Sequence, residues 1–162
     1  MFSRVDDEGR TGRIGMSMLE DQQGRLLVTT GARVARRENG HFQEIEGSVG
    51  LPDALFRYIL LDRKEALWIG TVGEGVCRLK NGVVLRITER EGLPDDKVRT
   101  LLEDSHQNLW IGTWSGLCRF SEGQCSSFTS TDGLPHNYVE ALYEDREGSL
   151  WIGTRGEIGR AH

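Results

Sequence analysis

The chain has 162 residues, of which 37% are hydrophobic and 21 are glycine, and its net charge is −5. This length is enough for one domain with a sizeable core, and the many glycines indicate tight turns between short strands. The acidic balance argues against non-specific nucleic-acid binding, and the lack of an apolar run of about 18 residues argues against a membrane span.

The N-terminal residues, 1–7, contain no apolar core of a signal peptide. Taken as the natural full-length product, the chain is therefore expected in the cytoplasm. That expectation lapses if the chain is a piece of a longer protein.

A repeat of 41 to 42 residues organises the sequence. The pentapeptide Leu-Trp-Ile-Gly-Thr occurs at 67–71, 109–113 and 150–154, and a degenerate copy, Leu-Leu-Val-Thr-Thr, occurs at 26–30. Gly-Leu-Pro recurs in the same register at 50–52, 92–94 and 133–135. Each unit contains four runs of strand length separated by turn-forming residues, and no segment shows a helical period over more than two turns.

A unit of about 40–45 residues with four strands is typical of a β-propeller blade. The sequence therefore predicts an all-β fold, in which residues 1–162 form a single partial propeller of antiparallel four-stranded blades. The predicted blades lie at about 14–46, 56–88 and 98–129, followed by a half blade of two strands at 138–154. Residues 1–13 resemble the outer strand and linker that end a blade.

The strands of the third unit are the most clearly delimited. They are predicted at Val98–Glu103, Asn108–Thr113, Gly116–Phe120 and Cys125–Thr129. The second of these strands has three consecutive apolar residues, which favours a strand covered on both faces, as stacked blades require.

Two residue types recur once in every well-formed unit. The tryptophans Trp68, Trp110 and Trp151 are predicted to pack between blades. The aspartates Asp62, Asp104 and Asp145 are predicted to close a turn by accepting a backbone N–H, rather than to act as acids or metal ligands.

The three cysteines, Cys77, Cys118 and Cys125, are an odd number and do not suggest a disulfide framework. Cys77 and Cys118 occupy matching strand positions, which favours small buried side chains over reactive thiols. No cysteine or histidine pair has ligand spacing, so the sequence predicts no metal site and no cofactor.

Candidate binding residues lie in two sets of loops. Because successive strands run in opposite directions, the loop that leads into a blade and the loop after its second strand lie on one face. Loops on a rigid scaffold commonly carry function. The predicted ligand-binding residues on this face are Glu74, Asp95, Asp96, Lys97, Trp114, Ser115, His136, Asn137, Tyr138 and Arg155.

Trp114 is the unrepeated member of this group, since the other units have Val72 and Arg155 at its position. An exposed aromatic residue in such a loop can stack on a sugar ring or plug a surface. The alternative is that Trp114 packs partly on a neighbouring blade.

The unit Gly-Leu-Pro, a strand, Glu-Asp, a turn and Leu-Trp-Ile-Gly-Thr resembles the repeat of the two-component regulator propeller family. Residues 92–120 and 133–156 carry the resemblance most clearly, and 15–42 and 50–79 carry it more weakly. The resemblance implies the sensor region of a bacterial receptor, such as a hybrid histidine kinase or a diguanylate cyclase, on the periplasmic side of the membrane. Inferred ligands in this family tend towards sugars and polysaccharides.

Receptors of this family usually have more repeats, a membrane helix and an output domain. Three and a half blades are also fewer than the four to eight that usually close a ring. Three interpretations remain open: the chain is part of a longer receptor, it pairs with a second copy, or it curls into a strained four-bladed ring. The expected partners are accordingly further blades or a second copy, with a carbohydrate or other small ligand and no nucleic acid.

Three functions are compatible with the sequence. The first is a non-catalytic ligand-sensing or interaction segment of a two-component-type receptor. The second is a propeller enzyme of the streptogramin-lyase kind, which needs a metal or base cluster for which His136 is the candidate. The third is a structural remnant or self-assembling partial propeller without a ligand.

Overall fold

The structure is a computed structural model that describes residues 17–45 and 47–161. The predicted outer strand in residues 1–13, the predicted start of the first blade and His162 lie outside this described part. The fifteen strands are β1 (Met18–Glu20), β2 (Leu26–Thr29), β3 (Val34–Glu38), β4 (His41–Glu44), β5 (Phe56–Leu61), β6 (Leu67–Thr71), β7 (Val76–Lys80), β8 (Val83–Ile87), β9 (Val98–Glu103), β10 (Leu109–Thr113), β11 (Leu117–Ser121), β12 (Gln124–Phe128), β13 (Val139–Glu144), β14 (Leu150–Thr154) and β15 (Glu157–Ala161).

The strands form four antiparallel sheets, and each sheet is one blade. The first three blades have the strand orders β1-β2-β3-β4, β5-β6-β7-β8 and β9-β10-β11-β12, and the fourth blade has β13-β14-β15. Strands that are neighbours in sequence are neighbours in space, so tight turns suffice to connect them. The predicted all-β propeller fold is confirmed.

The fourth blade contains one strand more than the sequence predicted. Residues 138–154 were expected to supply only two strands, yet β15 pairs with β14 along its whole length, from Ala161 opposite Leu150 to Glu157 opposite Thr154. The polar and glycine-containing β15 has no apolar alternation that a sequence pattern could detect. Backbone pairing with β14 forms this strand in spite of its composition.

The core lies between the blades. In the second to fourth blades, the Leu-Trp-Ile run of the second strand places Leu and Ile on one face and Trp on the other, because side chains alternate along a strand. Between the second and third blades, Trp68, Leu101 and Ile111 lie in one buried cluster. Equivalent clusters lie between the first and second blades and between the third and fourth.

The stack of blades is open. Contacts between sheets join blades that are consecutive in the chain, through β5 with β1 and β2, β9 with β5 and β6, and β13 with β9 and β10. No closed ring forms among the described residues, so the alternative of a strained four-bladed ring is wrong for this structure. Within the described residues, no helix has the length and hydropathy that crossing a membrane requires.

A 3₁₀ turn links the second blade to the third, and another links the third to the fourth. They lie at Glu89–Glu91 and Ser130–Asp132. Each ends at a glycine with φ of 100°, Gly92 or Gly133, a left-handed conformation that favours glycine over residues with a side chain. These glycines begin the Gly-Leu-Pro segments, so the recurring tripeptide directs the chain from one blade into the next.

The recurring aspartates close turns as predicted, and they also hold the recurring tryptophans. Asp104 Oδ1 accepts the backbone N–H groups of His106 and Asn108 at 2.9 and 2.8 Å. Asp104 Oδ2 accepts the indole N–H of Trp110 at 2.8 Å. Asp62 with Trp68 and Asp145 with Trp151 repeat the indole bond at 2.8 and 2.7 Å.

The cysteines differ partly from expectation. Cys77 is buried, and burial raises the pKa of its thiol to about 11, which agrees with the structural role predicted for it. Cys118 is instead joined to Cys125 in a disulfide between β11 and β12. The odd number of cysteines did not indicate this pair. The two residues come together through the pairing of β11 with β12, which the cysteine count does not show.

Candidate functional site

The two predicted sets of loops do lie on one face of the blades. The backbone N–H of Trp114, just after β10, donates to the carbonyl of Lys97, just before β9, at 3.2 Å. The N–H of Arg155 donates in the same way to the carbonyl of Tyr138 at 3.0 Å. In the second, third and fourth blades, therefore, a backbone hydrogen bond fixes the residue that leads into the blade beside the residue that follows its second strand.

Four of the predicted residues form a continuous row across the third and fourth blades. The Lys97 ammonium lies 4.8 Å from the centre of the Trp114 ring. The Trp114 and Tyr138 rings lie 5.3 Å apart with an interplanar angle of 40°. The Arg155 guanidinium lies 5.6 Å from the Tyr138 ring centre. We call Lys97, Trp114, Tyr138 and Arg155 the cation–aromatic row.

The third and fourth blades supply the row from the same two structural positions, but the cation and the aromatic residue are exchanged between them. The third blade has the cation before its first strand and the aromatic residue after its second strand, and the fourth blade has the reverse. In the second blade, the exposed residues Leu55 and Val72 occupy these positions, and Val72 forms a backbone bridge to Lys97. The sequence analysis did not include Leu55 and Val72 in this surface. The repeat could have indicated them, because they stand one repeat before Lys97 and Trp114.

The side chains of Asp95, Ser115 and His136 form hydrogen bonds within the loops that carry the row. The Ser115 hydroxyl donates to Asp95 Oδ2 at 2.7 Å, and Asp95 Oδ1 accepts the backbone N–H of Lys97 at 2.8 Å. His136, at the position equivalent to Asp95, accepts the backbone N–H of Tyr138 through Nδ1 at 2.9 Å. These side chains orient the backbone that carries the row.

Asp96 and Asn137 occupy equivalent positions and make equivalent bonds to the preceding 3₁₀ turn. Asp96 Oδ1 accepts the backbone N–H of Glu89 at 2.8 Å, and Asn137 Oδ1 accepts that of Ser130 at 2.6 Å. Both side chains are half-buried. These hydrogen bonds are made to the 3₁₀ turns and not to the side chains of the row.

Glu74 also lies apart from the row. Its carboxylate forms an ion pair with Arg86 of β8. The two glycines that flank it, Gly73 and Gly75, donate their backbone N–H groups to the carbonyl of Asp96 at 3.1 and 2.9 Å. The Glu74 carboxylate is therefore paired within the second blade, and its two neighbouring glycines bond to the segment that leads into the third blade.

The row combines flat apolar surface with positive charge. Trp114, Lys97 and Arg155 are exposed, and Tyr138 is half-buried. Aromatic faces bind apolar ring faces, and ammonium and guanidinium groups bind anionic oxygens. Among residues 17–45 and 47–161, no group of three or more His, Cys, Asp or Glu side chains could hold a metal ion.

Comparison with protein families finds a match to part of the repeat. The two-component regulator propeller pattern matches residues 92–115 and 133–156. These are the segments that run from Gly-Leu-Pro through Leu-Trp-Ile-Gly-Thr in the third and fourth blades. No curated protein sequence matches the chain.

Solved structures share the fold. The extracellular domain of a candidate hybrid two-component system of B. thetaiotaomicron matches with a TM-score of 0.77 and 25% identity, over 98% of this chain and 22% of that domain. A second such extracellular domain from the same organism matches with a TM-score of 0.72 and 18% identity, over 95% of this chain and 24% of that one. Virginiamycin B lyase of Staphylococcus aureus matches with a TM-score of 0.74 and 16% identity, over 90% of this chain and 51% of the lyase. The chain thus spans about a quarter or less of the two receptor domains and about half of the lyase.

Proposed function

The chain carries repeats of the two-component regulator propeller family, and we propose that it is a non-catalytic ligand-sensing segment of a bacterial two-component signalling receptor. The observation that carries this proposal is the cation–aromatic row. It offers two aromatic rings between two cations on the face where the loops of neighbouring blades meet.

The ligand we propose is a carbohydrate that carries acidic groups. Aromatic side chains stack on the apolar face of a sugar ring, and the two cations at the ends of the row would pair with carboxylate or sulfate groups. The exposed apolar pair Leu55 and Val72 extends the surface along the second blade. An oligosaccharide of several units would therefore lie along the row rather than in a deep pocket.

A sensor of this kind acts on the outer side of the membrane. The two B. thetaiotaomicron matches are extracellular domains, which supports a periplasmic position for the blades in a longer receptor. The lyase comparison shows a shared fold only. His136, the candidate base of an enzyme, accepts a hydrogen bond from the backbone N–H of Tyr138. We therefore favour binding over catalysis.

An array of neutral and acidic oligosaccharides tests this proposal. We expect the chain to be retained by acidic oligosaccharides. Trp114→Ala should lower the affinity about 10-fold, since one stacked ring contributes about 1.5 kcal/mol, and Lys97→Met about 3-fold, since one exposed charge contributes about 0.5–1 kcal/mol.

Tyr143→Ala and Arg119→Gln are the matched controls, because both side chains are exposed on strands away from the row. Retention that survives Trp114→Ala, or that is lost equally in the controls, would count against the row as the binding surface. Retention by no oligosaccharide would reject the proposed ligand class.

A further inference from the structure

The second blade exposes one edge of its outer strand, β8. This strand is hydrogen-bonded to β7 on one side, and no strand of the described structure pairs with its other side. Blades stack through the faces of their sheets, so a neighbouring blade covers a face and leaves this edge uncovered. Such an edge presents backbone N–H and C=O groups that can pair with another chain.

The residues of β8 differ from those of the equivalent strands β4 and β12. The three strands share one pattern, in which the first and third residues are exposed. Gln124 and Ser126 occupy these positions in β12, and β4 also has polar residues there. In β8 the same positions hold Val83 and Leu85, which are 68% and 44% exposed. Among the first three blades, the second is thus the one with an apolar outer edge.

The segment beside β8 is also apolar. Val49 is 93% exposed. It stands next to Gly50, where a Cβ would lie 3.7 Å from the side chain of Val84 in β8. The equivalents of Val49 after the second and third blades are acidic, Glu91 and Asp132. Because side chains alternate along a strand, exposed apolar residues therefore flank β8 on both faces of the sheet.

β8 lacks the features that usually protect an exposed edge from pairing, which are charges, proline and bulges. Its residues, Val83–Ile87, include neither proline nor glycine, and its pairing with β7 is regular. Its single charge, Arg86, is paired with Glu74. The β-branched residues of this strand favour the extended conformation that an added strand requires.

Two cations lie directly behind this edge. Arg78 and Lys80 of β7 stand opposite Leu85 and Val83 in the register of the two strands. The Arg78 guanidinium lies 5.8 Å from the centre of the Trp68 ring. Among residues 17–45 and 47–161, no carboxylate lies within ion-pair distance of either cation.

The first blade shows what the second blade lacks. There Glu38 stands at the position of Lys80, and its carboxylate lies 3.3 Å from the guanidinium of Arg36, the equivalent of Arg78. The second blade has two neighbouring cations at these positions and no carboxylate between them. A chain that approached the edge of β8 would therefore meet apolar side chains and uncompensated positive charge.

We propose that β8 docks an extended segment of another protein, in which a short apolar run is flanked by acidic residues. The segment adds a fifth strand to the second blade through main-chain hydrogen bonds, a known mode of peptide recognition. Its apolar run covers Val83 and Leu85. Its acidic residues pair with Arg78 and Lys80, whose long side chains can extend along the sheet towards the edge.

This edge is separate from the cation–aromatic row. The row lies on loops before the first strand and after the second strand of its blades, whereas β8 is the fourth strand of the second blade. Docking at β8 and ligand binding at the row are therefore tested independently, and failure of one leaves the other standing.

Fluorescence anisotropy with a designed peptide tests the proposal. The probe is a fluorescein-labelled peptide, Gly-Ser-Glu-Val-Val-Val-Glu-Ser-Gly, whose symmetric centre suits either strand direction. We expect saturable binding to the full chain at concentrations below about 1 mM. A peptide with proline in place of the central valine keeps both charges but lacks one backbone N–H, and should bind at least about 10-fold more weakly.

Variants of the chain locate the binding edge. Val83→Glu and Leu85→Glu each replace an apolar contact with a charge that repels the peptide, so we expect each to weaken binding at least about 10-fold. Gln124→Glu and Ser126→Glu place the same charge at the equivalent positions of β12, and these matched controls should bind as the native chain does. Lys80→Gln should weaken binding about 3-fold, as expected for one ion pair at the surface.

Four results would overturn the proposal. No saturable binding would mean that β8 does not accept an added strand, and equal binding of the proline peptide would mean that contact does not depend on strand pairing. Equal losses in the β12 controls would place the binding elsewhere. A native chain that sediments as two copies, and becomes single in Leu85→Glu, would mean that a second copy occupies the edge. Circular dichroism checks that each variant retains its strands, and Val83→Glu replaces Leu85→Glu if the latter unfolds.

Discussion

At the scale of single residues, the aspartate of each blade does more than close a turn. Asp104 is buried, and its carboxylate binds two backbone N–H groups and the indole of Trp110. One side chain therefore fixes both the turn before the second strand and the orientation of the ring that packs on the next blade. The recurrence of this residue follows from the two roles together.

Asp104→Ala should lower the free energy of unfolding by about 2–3 kcal/mol, because it leaves buried donors without an acceptor. Urea denaturation followed by tryptophan fluorescence measures the change. Asp145→Ala is the matched variant, since Asp145 makes the same bonds to a half-exposed Trp151 in the fourth blade. Water can replace that acceptor, so we expect a loss below about 1 kcal/mol, and equal losses at the two sites would contradict this account.

The pKa values of Asp104 and of its equivalent in the first blade, Asp21, predict a dependence of stability on pH. Burial alone would raise the pKa of Asp104, but the hydrogen bonds from the Asn108 side chain and the Trp110 indole outweigh it, so the pKa lies below its usual range. At Asp21, burial is likewise outweighed, here by hydrogen bonds from Arg25, and the pKa is lowered. A carboxyl group with a lowered folded pKa contributes stability that is complete above its unfolded pKa and is lost as the pH falls through the folded value.

We therefore expect the free energy of unfolding to fall as the pH drops below about 4, near the unfolded pKa of aspartate. Asp104→Asn should reduce that dependence because it removes one of the titrating groups. Urea denaturation at a series of pH values between about 3 and 7 measures it. An unchanged dependence in the variant would show that Asp104 does not contribute.

At the scale of strands, the glycine of Leu-Trp-Ile-Gly-Thr lets consecutive blades approach. A Cβ at Gly112 would lie 2.6 Å from the Thr100 methyl and 2.7 Å from a methyl of Val139 in the next blade. A Cβ at Gly70 would similarly lie 2.7 Å from Val98. The close approach of consecutive blades therefore requires that these positions carry no side chain.

Gly112→Ala should lower the free energy of unfolding by about 1–3 kcal/mol through overpacking. Gly153→Ala, in the fourth blade, is the control, because its Cβ would meet Ala141 at an ordinary 3.4 Å. We expect that change to be within about 0.5 kcal/mol of zero. Thermal and urea denaturation of both variants measure the difference, and a control as costly as Gly112→Ala would refute the packing explanation.

Sequence reasoning was strongest where a strand carries its own pattern. The third blade was predicted within a residue of its observed strands, because apolar runs and turn formers alternate there. β15 was missed because its formation depends on pairing with β14 rather than on its own residues. The Cys118–Cys125 disulfide was missed for a related reason, since strand pairing and not sequence spacing brings the two residues together.

At the scale of the whole molecule, the repeat made the stack of blades predictable, and the placement of loops on one face followed from strand direction. The sequence could not show which loop side chains meet. Lys97 and Trp114 belong to one blade and Tyr138 and Arg155 to the next, so their row depends on the fit between two blades. Of the other predicted site residues, Asp96, Asn137 and Glu74 are bonded within the chain.

The central functional claim is that ligand contacts the cation–aromatic row, and the four tryptophans allow it to be tested in one spectrum. The indole N–H groups of Trp68, Trp110 and Trp151 donate to aspartates within their own blades, and Trp114 is the member that lies in the row. Each indole gives a separate proton–nitrogen signal, which substitution of each tryptophan in turn would assign.

The most direct measurement is therefore to follow these four signals while acidic oligosaccharides are added to the nitrogen-15-labelled chain. The account predicts that the Trp114 signal shifts in a saturable manner while the signal of the buried Trp68 stays in place. A saturable shift at other indoles with Trp114 unmoved, or no shift with any oligosaccharide, would contradict it.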